Sequence, residues 1–304
     1  QLLGATINVR GEYESITVSV RTLTRNFEKT LALVEEMLLE PRWDEEQFSI
    51  NKTRTVNNLK RSMADPNYLA RTTFSKLNLG QENVLSTDAS GTVESAEAIS
   101  MDDIKAFYEK NISPSEANFL IVGDVDQKRV EKALAGLNER WAAKEVAMPS
   151  FTFPPVPEKS EICFVDVPGA KQSVINIGNL SLTRENPDYY KADVANYMLG
   201  GTASARLFMI LREEKGFTYG AYSNFEGLKN YGTFRAYASV RTDATLESVN
   251  LFKDIMLNYR AGVPQETVDF TKGSLLKMNA LRFETIDDKL GMLSTATFYG
   301  LPLD

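Results

Sequence analysis

The tetrapeptide Ser-Val-Arg-Thr occurs twice, at 19–22 and again at 239–242, and its flanks repeat with it. The stretch "NFEKTLALVEEMLLEPRWDEEQF" after the first copy answers "TLESVNLFKDIMLNYRAGVPQETVDF" after the second. Met37 and Leu38 match Met256 and Leu257 across a one-residue gap, and Glu46 then matches Glu266 at the original spacing. Upstream, "LGATIN" from Leu3 matches "YGAYSN" from Tyr219, which places four additional residues in the loop that follows in the second copy. Each copy reads as strand, turn, strand, helix, turn, helix. A repeat of about 220 residues is far longer than the 20–50 of stacked solenoid units, so it describes duplicated domains. Because 304 residues hold one unit and part of another, the first copy is expected to lack its beginning and the second its end. Gln1 in place of Met, with no charged-then-apolar leader after it, fits a window cut from a longer chain.

The texture of the chain divides it at one place. Residues 1–142 form a first region, in which "ESITVSVRT" alternates as a strand and Phe27, Leu31, Val34, Met37 and Leu38 fall on one helical face. A second helix is predicted over about 45–63, followed by a turn at Asp65-Pro66. "SMDD" from Ser100 is a capping-box pattern, with Ile104, Phe107 and Tyr108 behind it as the apolar face. "NFLIVGDVD" reads as a buried strand, and Val130, Ala133, Leu134, Leu137 and Trp141 as an amphipathic helix. Residues 143–160, with four prolines in "AMPSFTFPPVPEKSE", form a linker. The second region, 161–304, opens with the predicted strands "EICFVDV" and "SVINIGNLSL"; a helix beginning near Pro187 ends at Gly200-Gly201, and Ser204 is placed to cap another that stops at Gly216. Strands and helix pairs in runs, without sustained strand-helix alternation, give an α+β fold: two homologous domains, each a mostly antiparallel sheet with helices on one face.

Composition narrows the chemistry. The net charge of -7 and the absence of any basic run speak against nucleic acid as a partner. No apolar stretch approaches the ~18 residues of a membrane-spanning helix. A single cysteine, Cys163, has no partner for an intramolecular disulfide, and its apolar setting suggests a small buried side chain. The chain has no histidine at all, which removes His-based triads and His-ligated metals from consideration.

The most informative stretch is "LFMILREEKGFTYGAYSNFEG" at 207–227. Arg212 lies in the last turn of a predicted helix, Gly216 ends it, and Tyr219 opens the next strand. A reversal at Gly216 can bring the guanidinium and the phenol together, and both are hydrogen-bond donors at neutral pH. Such a pair can grip a peptide carbonyl or steady an oxyanion formed on it. The plainer reading is structural: a cation in a helix's last turn complements the macrodipole by about 0.3–1 kcal/mol, and tyrosines commonly pack across sheets.

These residues resemble a known family. "GGTASARLFMILREEKGFTYGAYS" is similar to a segment of the pitrilysin/insulinase zinc metallopeptidases, in which a small-residue turn, Arg-Leu-Phe, an Arg and then Gly-aromatic-x-Tyr recur. "LALVEEMLLEPRWDEEQF", "SMDDIKAFYEKNISPSEANFLIVGDVD" and the proline linker fit the same family in order. The resemblance implies repeated α+β domains, with Ser19 and Ser239 on equivalent strands. It also implies that an active half carries an inverted H-x-x-E-H zinc motif upstream of the Gly4 position and a glutamate ligand on the later helix. That ligand position falls at or beside Asn58, where Asn57 and Asn58 are neutral amides and poor zinc ligands. The segment therefore resembles the non-zinc half, with no metal of its own and zinc expected in the other half. Arg212 and Tyr219 match the pair that this half offers to substrate. The implied partners are a peptide or unfolded polypeptide and a catalytic half, in the same chain or another. The compartment stays open, with the periplasm or cell envelope favoured over the cytoplasm. Two alternatives stay open, a noncatalytic assembly subunit and a peptide-binding module that uses exposed sheet edges.

Overall fold

A computed structural model describes residues 2–302; Gln1, and the reading attached to it, lies outside them. The first hairpin pairs β1 (Thr6–Gly11) with β2 (Ile16–Arg21) in antiparallel register, Asn8 opposite Ser19. A short 3-10 turn leads into α1 (Phe27–Leu39), and α2 (Glu45–Ser62) follows, capped by Asp44 through the N–H of Gln47. The buried stripe of α1 is Phe27, Thr30, Leu31 and Val34; Met37, expected on it, faces solvent. Asp65-Pro66, read as a turn, in fact starts α3 (Pro66–Leu79): the Asp65 carboxylate accepts from Asn67 N–H, and proline sits where no helix donor is needed.

After α4 (Val93–Ala98) comes α5 (Met101–Asn111), opened by the expected Ser100/Asp103 capping box. Its Tyr108 hydroxyl donates to the Leu38 carbonyl and its ring meets Trp43 edge-on, whereas Phe107 points to water. The helix α6 (Gln127–Arg140) is tied to α1 by two ion pairs, Arg129 to Glu28 at 2.6 Å and Arg140 to Glu35 at 2.9 Å. "NFLIVGDVD" forms no strand, and Phe119 and Ile121 are exposed; among the described residues no strand lies beside it to share hydrogen bonds.

Residues 143–160 carry no regular structure, yet they do not hang free. Phe151 and Phe153 pack on Leu79, Leu85 and Tyr231, and the Asn83 amide donates to Thr152 O at 3.2 Å. "EICFVDV" also remains outside any sheet, with Ile162 91% and Phe164 83% exposed, and Cys163 is exposed rather than buried. The regular sheet begins with β3 (Gln172–Ser181), followed by α7 (Tyr189–Leu199) and α8 (Arg206–Phe208), which continues as a π-helical turn over Met209–Glu214. Ala205, not Ser204, is the N-cap residue; the Ser204 hydroxyl pairs with Thr202 instead. Then come β4 (Thr218–Gly227), β5 (Gly232–Arg241), a 3-10 turn, α9 (Thr245–Tyr259), α10 (Gln265–Leu281) and α11 (Ile286–Tyr299).

The three strands form an antiparallel sheet in the order β3-β5-β4. Its inner face offers Ile175, Ala221, Ala236, Ala238 and Val240 to Leu199, Leu207, Leu211, Phe252 and Ile255 from α7, α8, the π-turn and α9. The alanines let the helices approach closely, and burial of a side chain such as Phe252 contributes about 1.5–3 kcal/mol. On the other face α3 lies beside β3, where Ser239 Oγ donates to Asn67 at 3.2 Å. The fold is α+β, with helices covering small antiparallel sheets.

The element order of the first copy recurs in the second: hairpin, 3-10 turn, long helix, second long helix. Ser19 and Ser239 both lie on the second strand of their hairpins. The four additional residues, however, are not in the loop. Both loops have the same length, Gly11 pairing with Ile16 and Gly227 with Gly232, and the strands of the second hairpin are longer. The loops meet: the Glu14 carboxylate accepts from Lys229 N–H at 2.9 Å and Asn230 N–H at 3.2 Å. Arg21 on β2 also pairs with Asp287 at the start of α11.

Candidate functional site

Two departures from regular backbone flank Gly216, and each carries one residue of the candidate pair. The first is the π-turn. Lys215 N–H reaches Ile210 O at 3.0 Å and Phe217 N–H reaches Leu211 O at 3.0 Å, so the hydrogen bonds skip further back than in an α-helix. Leu207 and Leu211 anchor this segment in the core, fully buried, and leave Arg212 half-buried at its rim. Arg206 lies 5.5 Å from the ring of Tyr259, whose hydroxyl donates to Ala195 O at 2.6 Å; the start of the segment is thereby fixed against α7 and α9. Burial pushes the Tyr259 phenol above its ordinary pKa, and nearby Arg206 offsets part of that shift. Gly216, at φ +63°, makes the left-handed reversal that a side chain would strain.

The second departure is a β-bulge. Thr218 pairs with Val240 but Ala221 pairs with Ala238, so β4 advances three residues while β5 advances two. The Thr218 hydroxyl locks it, 2.7 Å from Ser239 O and accepting from Gly220 N–H at 3.1 Å. The second Ser-Val-Arg-Thr copy thus supplies the carbonyl that holds the bulge. In the first hairpin the ladder is regular; there Asn8 faces Ser19, whereas Asn224 faces Arg235 and not Ser239, so the sequence match of Leu3–Asn8 with Tyr219–Asn224 does not hold in the strand register. The extra residue turns Tyr219 outward, 84% exposed, and the Arg212 guanidinium lies 5.5 Å from its ring. The pair singled out in the sequence is therefore brought together across the reversal.

Neither Arg212 nor Tyr219 has an ion-pair or hydrogen-bond partner from another side chain among the described residues, so both sets of donors are open to a ligand. An exposed cation–π contact stabilises a fold by only about 0.5–1 kcal/mol. Sequence reasoning missed what adjoins the pair. Phe208, one turn before Arg212, meets the Tyr222 ring at 5.6 Å, and Tyr222 meets Tyr237 at 6.2 Å across the β4–β5 ladder. Arg235 lies over Tyr237 at 4.3 Å. A signal was present for part of it: Tyr222 and Tyr237 share one sheet face once the hairpin register is known.

Asn57 and Asn58 lie on the exposed face of α2, where Arg61 donates to the Asn58 side chain. Among the described residues no group of three or more histidine, cysteine, aspartate or glutamate side chains is placed to hold a metal. No helix among them is long and apolar enough to cross a membrane.

The fold is α+β, and Arg212 and Tyr219 meet at the rim of its three-stranded sheet. The family described as the peptidase M16 inactive domain matches residues 98–275, and the chain belongs to that family. A non-peptidase homologue, YmxG of Helicobacter pylori, is 27% identical over 98% of this chain and 68% of its own length. The crystal structure of a peptidase M16 inactive domain from Pseudomonas fluorescens superposes with a TM-score of 0.87 at 25% identity, over 99% of this chain and 72% of that one. The periplasmic protease PqqL of Escherichia coli shares the fold, with a TM-score of 0.69 at 14% identity over 97% of this chain and 34% of that one. The chain spans 56–69% of the length of the curated relatives it matches.

Proposed function

We propose that this chain forms one wall of a peptide-binding chamber, and that Arg212 and Tyr219 act on substrate held at the zinc site of a separate catalytic half. Zinc bound in that half supplies an activated water for attack on the peptide bond. The residues of this chain bind and orient: the Arg212 fork grips a peptide carbonyl, and the Tyr219 hydroxyl donates to the oxygen on which negative charge develops. The observation that carries the reading is the convergence of an open guanidinium and an outward-turned phenol at two backbone irregularities, a setting that contributes little to stability.

The domain division belongs to the same reading, with 1–142 and 161–304 as homologous units joined by 143–160. A periplasmic or cell-envelope location accords with the fold shared with a periplasmic protease. The name of the Helicobacter relative favours a second reading, a peptide-binding or assembly subunit without turnover.

Arg212→Lys separates function from packing. In the chain assembled with its catalytic half, lysine keeps the charge but lacks the planar fork, so peptide cleavage should stay impaired nearly as far as in Arg212→Ala. Full rescue by lysine would reduce the role to a point charge, and normal kcat/KM in both variants would overturn it.

A further inference from the structure

The aromatic strip beside the pair has a direction and a charged end. From Phe208 it runs through Tyr222 to Tyr237 and stops at Arg235. Tyr222 and Tyr237 are opposite each other on β4 and β5, and Asn224 and Arg235 form the next row on the same face, about 7 Å further along the strands. Gly220 leaves room for the Tyr222 ring: a Cβ there would lie 2.6 Å from it. All four strip residues are half-buried, so their side chains are held in place yet still reachable.

Arg235 is the unusual member. Its guanidinium rests on the Tyr237 ring and has no carboxylate within ion-pair distance among the described residues; Glu226, on the following row, makes no bond to it. Opposite it, the Asn224 side-chain oxygen is buried with no hydrogen-bond partner. A planar cation stacked on an aromatic face keeps its N–H edge free for a carboxylate. Rings tilted at 5.6 and 6.2 Å offer edges and faces to another aromatic ring.

We infer that this strip selects extended peptides that carry an aromatic side chain, laid on Tyr222 and Tyr237, and a carboxylate two residues away, held by Arg235. Side chains two residues apart on an extended chain share one face with backbone positions about 7 Å apart, so one can reach the rings while the other reaches the guanidinium, which lies 4.3 Å from the Tyr237 ring. The inference rests on the reading of Arg212 and Tyr219 as substrate-binding residues and adds the class of peptide they receive. The carboxylate can be a side chain or a C-terminus.

The test is fluorescence anisotropy of the chain with labelled seven-residue peptides of alanine, carrying Phe and, two residues on, either Glu or Gln. A third peptide ends in a free carboxylate at that position. The Glu peptide should bind about tenfold or more tightly than the Gln peptide. Arg235→Gln should erase the difference without weakening the Gln peptide, and Arg212→Gln should weaken both by the same factor. If the free-acid peptide outbinds the Glu peptide, the carboxylate recognised is a C-terminus; the reverse order assigns it to a side chain. A Glu preference that survives in Arg235→Gln, or is absent from the unaltered chain, overturns the inference. Unchanged binding in Arg212→Gln, with the Glu preference intact, instead overturns the reading of the pair.

Discussion

Gly200→Ala tests how Tyr219 is held in place. Gly200 ends α7 directly against β4: Ser223 N–H donates to Gly200 O at 2.9 Å, Asn196 Nδ2 donates to Ser223 O at 2.8 Å, and Ser223 Oγ lies 2.5 Å from Asn196 Oδ1. A Cβ at Gly200 would lie 2.4 Å from Ser223 Oγ, 2.5 Å from Ser223 N and 2.8 Å from Leu207 Cδ1. The hydroxyl can rotate away, but a backbone nitrogen cannot, so the helix end and strand must part by about an ångström to reach ordinary contact. Overpacking of this kind costs about 1–3 kcal/mol, and loss of the backbone hydrogen bond about 0.5–1.5 more. The reduced freedom of the unfolded chain returns about 0.4–1 kcal/mol. The net loss is about 1–4 kcal/mol, or roughly 3 °C in Tm for a central value near 2 kcal/mol in a chain of 304 residues. Gly291→Ala on α11 is the control, because no atom lies within 4 Å of its Cβ; there alanine should stabilise by about 0.5–1 kcal/mol. Urea unfolding and calorimetry on both variants, with amide exchange followed at Ser223, decide the matter. If Gly200→Ala is as stable as Gly291→Ala, close docking of α7 on β4 does not position the strand that carries Tyr219.

Further outcomes follow from the same geometry. Leu211→Ala, at a fully buried position next to Arg212, should destabilise by about 2–5 kcal/mol in urea titration, and a loss below 1 kcal/mol would show the π-turn to be loosely packed. The Arg129 guanidinium, bonded to the Glu28 carboxylate, holds its pKa down to about 2. A depressed folded pKa means that the contribution is complete above the ordinary carboxylate range near 4.5 and fades as pH falls toward 2. Tm measured across that window should therefore drop less steeply in Glu28→Gln than in the unaltered chain; identical profiles would contradict the pairing.

Much of the fold was legible in the sequence, and what was not has a common cause. The stripe of Phe27, Leu31 and Val34, the Ser100 capping box and the β3 and β5 strands depend on spacing and local hydrogen bonds, which a sequence records directly. "NFLIVGDVD" and "EICFVDV" carry apolar runs of the kind found in buried strands, but a strand also needs a partner alongside, and no local pattern states whether one is present. Asp65-Pro66 is ambiguous because the same dipeptide starts helices and makes turns. At the site, Arg212 and Tyr219 were visible as residue types on either side of Gly216. The π-turn and the bulge that bring them together were not, since both arise from hydrogen bonds displaced by one residue. Tyr222, Tyr237 and Arg235 became neighbours through the β4–β5 register, and Phe208 joined them through the packing of α8 on β4.

The central claim is that the Tyr219 hydroxyl serves chemistry and not folding, and Tyr219→Phe in the chain assembled with its catalytic half tests it most directly. The phenol is exposed and bonded to no other described residue, so its loss should leave Tm nearly unchanged. Loss of one donor to a developing oxyanion costs about 3 kcal/mol in the barrier, so kcat for peptide cleavage should fall by about a hundredfold. Unaltered kcat, with or without a change in Tm, would contradict the account and return the Arg212–Tyr219 pair to ordinary surface packing.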